Sequence, residues 1–441
     1  MGSALEKPSG KAVWPPSLKD LLTGYDDMED LLDPDLRPTE IIDSVMRVYP
    51  VYDSLLDDIN RCNYQVGNPE RRFIPYPYDF RRSNADSAEG LAEVLDGFAD
   101  LDELILIGHS MGGLVLRFLL ESGDYDDRDW FPNVTMLITL GTPHFGSPKA
   151  VRYLTGEESM LGVQGSDLVR LASDPRYPSV YELVGPETTA FTIPRPLPGT
   201  VPAPTSPFDA DMVASLQLTE ENIQSAKRFW GELGLDRRPA HVDYFFFGGS
   251  AHRTIARMER ELPGSAPNLE PVERRESGDG TVPITSAIVA NVAHGYSAKK
   301  HSRIFEDRDL RRALYRFLDA PIGVVPHAAA ADEDVGQPDA FGVSVDKDAY
   351  LVGEPIEIVA SYNRSMADPT ESFQFLPIDA TTGDTEPVAS ASLQVQFSGV
   401  GVTGFSMAVL PDLEPGLYQL RPLREVDDPE PTVFTVVESH G

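Results

Sequence analysis

A chain of 441 residues is longer than one ordinary domain, and its 41% apolar content is enough to bury a large core. A formal net charge of −33 argues against nucleic acid and anionic membrane surfaces as partners. No apolar stretch approaches the ~18–20 residues that span a bilayer, and a single cysteine, Cys62, excludes an intrachain disulfide.

Residues 1–11 are polar and carry no apolar run, so the chain as given lacks a signal peptide and is expected to be cytoplasmic. Twenty-nine Arg stand against eight Lys. A salty environment and a GC-rich genome would both produce that bias. Residues 46–51 and 72–77 read as strands. Residues 85–98 read as a helix, with Leu91, Val94, Leu95 and Phe98 on one side. Residues 103–107 (ELILI) form a short apolar strand of the kind buried on both faces, as do 134–140 and 242–247. Cys62, near the end of a helix, reads as a small semi-buried packing residue.

This alternation of strands and helices predicts an α/β fold with a mostly parallel sheet over residues 1–320. The rhythm breaks between residues 161 and 239. Residues 194–207 are too rich in proline for helix or central strand. Residues 218–235 then read as a helix with Thr219 at its N-cap. Roughly residues 155–240 are expected to form a lid or cap. Residues 307–318 close this part as an amphipathic helix. An acidic, proline-bearing linker over 321–338 follows. Short alternating segments then predict a small immunoglobulin-like β-sandwich over 339–441.

The strongest chemical signal is Gly108-His109-Ser110-Met111-Gly112-Gly113, between the ELILI strand and an apolar helix. A serine on such a strand-to-helix turn exposes its Oγ, and the glycines flanking it avoid clashes there. Ser110 is therefore the candidate nucleophile. The Met111 N–H is one oxyanion donor, favoured by the helix N-terminus. A serine hydroxyl needs a base, and in this arrangement the acid and the histidine follow it in the chain. Asp279, between Gly278 and Gly280, is the candidate acid; an ordinary Asp-Gly turn is the rival. His301, ahead of the closing helix, is the first candidate base, with His294 its rival in the same loop. His327 lies in the linker and His440 at the terminus. His109 and His144 are expected to pack or hydrogen-bond near the site. No metal-binding spacing occurs, and no cofactor is required.

The chain resembles the lecithin:cholesterol acyltransferase-like family within the α/β-hydrolase superfamily. The resemblance runs in order through Trp14-Pro15, Tyr78-Asp79-Phe80-Arg81, Gly108 to Gly113, Thr139-Leu140-Gly141-Thr142-Pro143 with Gly146-Ser147, Gly278 to Pro283, and His301. It covers roughly residues 1–320. It implies Asp279 as triad acid, His301 over His294 as base, a lid, and a lipid or acyl-ester substrate. Tyr78 and Phe80 would then line the base of the pocket, with His109 a further candidate substrate contact.

The chain departs from that pattern at its start. The family places an apolar strand and Pro-Gly ahead of a Gly-Ser. Here Gly2-Ser3 is preceded only by Met1. The first core strand and the second oxyanion donor are expected upstream of Met1. The leading expectation is a serine-dependent acyltransferase or lipase. The alternatives are a soluble carboxylesterase or a catalytically impaired scaffold. Phe191, Leu197, Phe208, Met212 and Trp230 in the expected lid lean towards lipid. No partner of the β-sandwich is legible.

Overall fold

The computed structural model describes the chain apart from residues 1, 17–24, 26–27, 43, 46–48, 99–100, 160–162, 186–191, 195–205, 207, 261–268, 322–340, 346–348, 379–384, 386–391, 397–399, 424–431 and 438–441. The proline-rich run, most of the linker, His327, His440, Phe191 and Leu197 fall outside the described residues, as does the side chain of Met212.

Four parallel strands form the central sheet: β4 (Leu104–His109), β5 (Val134–Leu140), β6 (Asp243–Gly249) and β9 (Ala293–Ser297), in the order β9-β6-β5-β4. Successive side chains of a strand point to opposite faces, and both faces here are covered. Leu137 and Phe246 join one apolar cluster with helices α2 (Asn84–Asp96) and α3 (Met111–Glu121). Ile138, Leu140 and Phe247 join another with α1 (Asp53–Arg61) and α8 (Arg308–Phe317). This is an α/β arrangement, and it explains why these strands read as continuous apolar runs.

β4 ends the sheet on one side among the described residues, and Leu104, Ile105 and Ile107 stay partly exposed. The expectation that this strand is buried on both faces is thus only half met. The segment beside it, residues 72–77, is not a strand: apart from a single bridge from Arg72 to Gln65 it forms no ladder. Pro75 and Pro77 cannot donate to one. Near the N-terminus, β1 (Ser3–Glu6), β2 (Ala12–Trp14) and β3 (Arg37–Ile41) form a separate antiparallel sheet in the order β2-β1-β3. Of the strand expected at 46–51, Tyr49–Pro50 pairs with Ser44–Val45, and residues 46–48 lie outside the described residues.

Between β5 and β6 the chain builds helices α4 (Lys149–Thr155), α5 (Gly165–Ser173), α6 (Ser179–Val184) and α7 (Glu220–Glu232). Thr219 is the N-cap residue of α7, but its hydroxyl bonds the Ser173 carbonyl rather than capping the helix. Ile223 and Ala226 pack with Tyr181, Val184 and Phe208 in a cluster of their own. The long hairpin β7 (His252–Arg260) and β8 (Leu269–Gly278) follows β6. The last strand of the central sheet falls on Ala293–Ser297, which pairs in parallel with β6.

Beyond the linker, strands β10 (Phe341–Val345), β12 (Ile356–Ala367) and β15 (Val400–Val409) form one sheet. Strands β11 (Ala349–Leu351), β13 (Thr370–Pro377), β14 (Ser392–Gln396), β16 (Gly416–Pro422) and β17 (Thr432–Val437) form a second. Ile358, Phe373, Phe405, Leu420 and Phe434 share one cluster drawn from both. Among the described residues, no helix is long and apolar enough to cross a membrane.

Candidate active site

Ser110 sits between the last residue of β4 and the first turn of α3, with φ 55° and ψ −126°. An L-residue adopts that conformation only under constraint from its surroundings. The constraints are visible. The Ser110 N–H donates to the Leu140 carbonyl, which carries the β4–β5 pairing one residue past the strand. A Cβ on Gly108 would lie 2.7 Å from the Gly113 nitrogen, so strand and helix approach at backbone distance. A Cβ on Gly113 would lie 2.0 Å from Thr142 Oγ1. A Cβ on Gly112, by contrast, would meet nothing closer than the Tyr78 hydroxyl at 3.8 Å. The sequence reading laid the close approach on the glycines flanking the serine. It rests on Gly108 and Gly113.

Asp279 follows directly on β8, and its carboxylate is buried. Its Oδ1 accepts from the Thr281 N–H at 2.9 Å and the Val282 N–H at 2.7 Å. Burial alone would raise its pKa. The adjacent His301 and those two amides outweigh burial and hold the carboxyl below its usual range. His301 opens the short 3-10 turn His301–Glu306. Its main-chain N–H donates to the Asp279 carbonyl at 2.9 Å. Its Nδ1 lies 2.8 Å from Asp279 Oδ2, and its Nε2 lies 2.9 Å from Ser110 Oγ. An ionised carboxylate only accepts, so Nδ1 carries the proton. Nε2 is then the acceptor, and the serine O–H donates to it. The arrangement has the parts of an activated nucleophile: a hydroxyl, a base facing it, and an acid orienting the base.

The rival histidine is placed elsewhere. His294 lies on β9 rather than in a loop, with Nδ1 on the Val292 carbonyl at 2.8 Å and the Tyr296 hydroxyl 3.3 Å from Nε2. It has no contact with Ser110 among the hydrogen bonds of the site. His144 is buried beside the site, stacked on Phe246 with ring centroids 3.8 Å apart. Burial, with Arg117 nearby, holds it well below the usual histidine range.

Tyr78, Phe80 and His109 line a cavity that reaches Ser110 and His301. Met111 begins α3 and turns its side chain into a cluster with Phe80 and Trp14. Between Tyr78 and Phe80, Asp79 pairs with Arg81 through Nε–Oδ1 at 2.8 Å and Nη2–Oδ2 at 2.7 Å. Arg81 also donates to the Leu31 and Asp33 carbonyls. This buried pair ties the pocket floor to the N-terminal segment. Both ring nitrogens of His109 have protein partners, the Tyr52 hydroxyl and the His301 carbonyl.

Tyr52 belongs to no motif and left no mark in the sequence. Ser147 is part of the family resemblance, which gave it no role; its hydroxyl donates to the Thr281 carbonyl at 2.7 Å and braces the Asp279 turn from another loop. Glu182 is a buried acceptor for Ser83, Asn84 and Ser225, and only three-dimensional proximity joins those four positions.

Residues 36–176 match the family model described as lecithin:cholesterol acyltransferase. The matched span includes Tyr78 to Arg81, Ser110 and Thr139 to Ser147, and it ends before Asp279 and His301. A comparison with curated proteins returned no match. Among solved structures, the product of gene lin2722 from Listeria innocua is 12% identical, covering 57% of this chain and 69% of its own, with a TM-score of 0.26. A β-glucosidase from Listeria innocua, solved with glucose, is 15% identical over 22% of this chain and 16% of its own, with a TM-score of 0.16. The ligand binding region of serine-glutamate repeat protein A of Enterococcus faecium is 11% identical over 23% and 99%, with a TM-score of 0.14. Overlaps at that level carry no argument about this fold.

Proposed function

We propose that this chain, a member of the lecithin:cholesterol acyltransferase family through residues 36–176, is a serine-dependent O-acyltransferase or lipase acting on acyl esters of lipids. The observation that carries the reading is the hydrogen-bonded run from Ser110 Oγ through the His301 ring to Asp279, at a strained strand end. In this reading residues 1–320 are an α/β-hydrolase domain, and the excursion over roughly 155–240 is its lid. Residues 321–338 are a linker, and residues 339–441 are an immunoglobulin-like β-sandwich.

Ser110 Oγ attacks the ester carbonyl as its proton passes to His301 Nε2. Asp279 holds the imidazole in the matching tautomer and offsets its positive charge. The carbonyl π electrons move to oxygen, and the Met111 N–H at the start of α3 donates to that oxyanion. The tetrahedral species collapses to an acyl-Ser110, and the alcohol leaves with the proton from His301. Water or an acceptor alcohol then gives its proton to His301 and attacks the acyl carbonyl, and His301 returns that proton to Ser110 Oγ as the acyl group departs. Tyr78, Phe80 and His109 line the acyl pocket.

The test is a panel of p-nitrophenyl esters and phosphatidylcholine vesicles, with and without a long-chain alcohol. Acyl release or transfer from the phospholipid, lost in Ser110→Ala, is the expected result. Turnover confined to short soluble esters would indicate a carboxylesterase. No turnover of any ester, with no reaction of Ser110 towards a fluorophosphonate, would make the chain a scaffold.

A further inference from the structure

Of the groups around Ser110, His109 and Tyr52 are the ones the mechanism above leaves without a chemical step. Their hydrogen bonds run in a fixed direction. The His301 carbonyl can only accept, so the N–H 2.9 Å from it belongs to His109 Nε2. In a neutral imidazole the other nitrogen is then an acceptor. The Tyr52 hydroxyl, 2.9 Å from Nδ1, donates to it. The ring is closed in by aromatic neighbours. Its centroid lies 5.5 Å from that of Tyr52, 5.8 Å from that of Phe305, and 4.9 Å from that of His301. Tyr52 and Phe305 also touch one another, at 5.7 Å between centroids.

We propose that Tyr52 and His109 are a positioning pair for the base, fixing the His301 main chain to the strand that carries Ser110. His109 is the residue before Ser110 on β4. Its bond to the His301 carbonyl therefore ties the base's turn to the nucleophile's strand, independently of the Ser110–His301 side-chain bond. The other main-chain group of His301, its N–H, is held by Asp279. Both ends of the His301 backbone are thus anchored, one to the acid and one to the nucleophile's neighbour. Tyr52 selects the His109 tautomer: if His109 carried its proton on Nδ1, the His301 carbonyl would lose its donor. Burial, reinforced by His301 alongside, pushes the His109 pKa down to about 3, so the ring stays neutral and the tautomer argument holds at working pH. Neither residue exchanges a proton with substrate in this account. The inference rests on the reading of His301 as the base of Ser110.

The experiment is inactivation of the full chain by an alkyl fluorophosphonate, resolved into its maximal rate and its half-saturating concentration. The variants are His109→Phe, His109→Gln and Tyr52→Phe. Displacing a reacting group by about 1 Å costs up to ~10²-fold. His109→Phe is expected to slow the maximal rate by about 10–100-fold, a larger factor than any change in half-saturation that follows from its place in the cavity wall. His109→Gln, which keeps a donor for the carbonyl and an acceptor for Tyr52, is expected to recover most of the rate. Tyr52→Phe, which keeps the ring and loses only the hydroxyl, is expected to fall between them. A folded His109→Phe that reacts at the wild-type rate would overturn the proposal. So would a His109→Gln as slow as His109→Phe. If His109→Phe does not fold, a Tyr52→Phe that reacts at the wild-type rate overturns it instead. A wild-type chain that never reacts at Ser110 is a different outcome, and it removes the catalytic reading itself.

Discussion

His109 holds its ring neutral by burial, and that has a measurable consequence for stability. A free histidine titrates near ~6.5, and in the folded chain His109 titrates at about 3. Between those values the unfolded chain binds one more proton at this position. Its contribution is therefore fully present above ~6.5 and declines as pH falls towards 3. His144, buried and also held well below the usual range, acts in the same direction. Glu182, whose carboxyl burial pushes up, opposes them: its folded form keeps a proton to higher pH. The share of His109 is isolated by comparing wild type with His109→Gln in urea unfolding at pH 7 and pH 5. Wild type is predicted to lose about 2 kcal/mol more over that interval than the variant. Equal losses would mean that His109 is charged or exposed in the folded chain.

At the scale of elements, a buried carboxylate is one of the ties between the helices that follow β5 and the start of α2, beside the packing of Leu168 and Leu171 with the N-terminal segment and of Phe229 with Phe118. Glu182 on α6 accepts from the Ser83 hydroxyl at 2.8 Å and from the Asn84 main chain at 2.7 Å, where α2 begins. It also accepts from the Asn84 amide at 2.8 Å and from Ser225 of α7 at 3.1 Å. Deleting it strands three buried donors and the half-buried Ser225 hydroxyl, which costs about 3 kcal/mol or more. Glu182→Ala is predicted to lower the urea midpoint by that equivalent. Glu182→Gln is predicted to stay within about 1 kcal/mol, because the two hydroxyls that face Oε1 can reverse and accept from an amide. If both variants lose alike, the tie is electrostatic rather than a set of hydrogen bonds. The elements themselves were unevenly legible in the sequence. Strands such as 134–140 announced themselves by uncharged, largely apolar runs, because parallel strands covered on both sides have little polar face. The segment at 72–77 looked equally extended but holds two prolines and forms no ladder. Helices α5 and α6 went unread because each is short, with few apolar positions to set a period.

For the whole molecule, the charge of −33 sits on a chain whose apolar clusters separate by region. The cluster formed by the strands after the linker draws only on residues beyond 342, so its packing is independent of the central sheet. The candidate site itself was legible as residue types in chain order. Ser110 came from its strand-to-helix frame, and Asp279 and His301 from order and resemblance. Their meeting depends on what the sequence does not print: the hairpin of β7 and β8, which ends beside Asp279, and the parallel strand β9, after which His301 comes back to Ser110. The supports Tyr52 and Glu182 were illegible for the same reason, and Ser147 was legible as a motif residue without its role, since all three act through contacts between distant positions. The most direct measurement of the central claim is mass-spectrometric mapping of a fluorophosphonate adduct on the full chain. The account predicts a single adduct on Ser110, absent in Ser110→Ala and strongly slowed in His301→Ala. An adduct on another residue, or labelling that persists in Ser110→Ala, would contradict it.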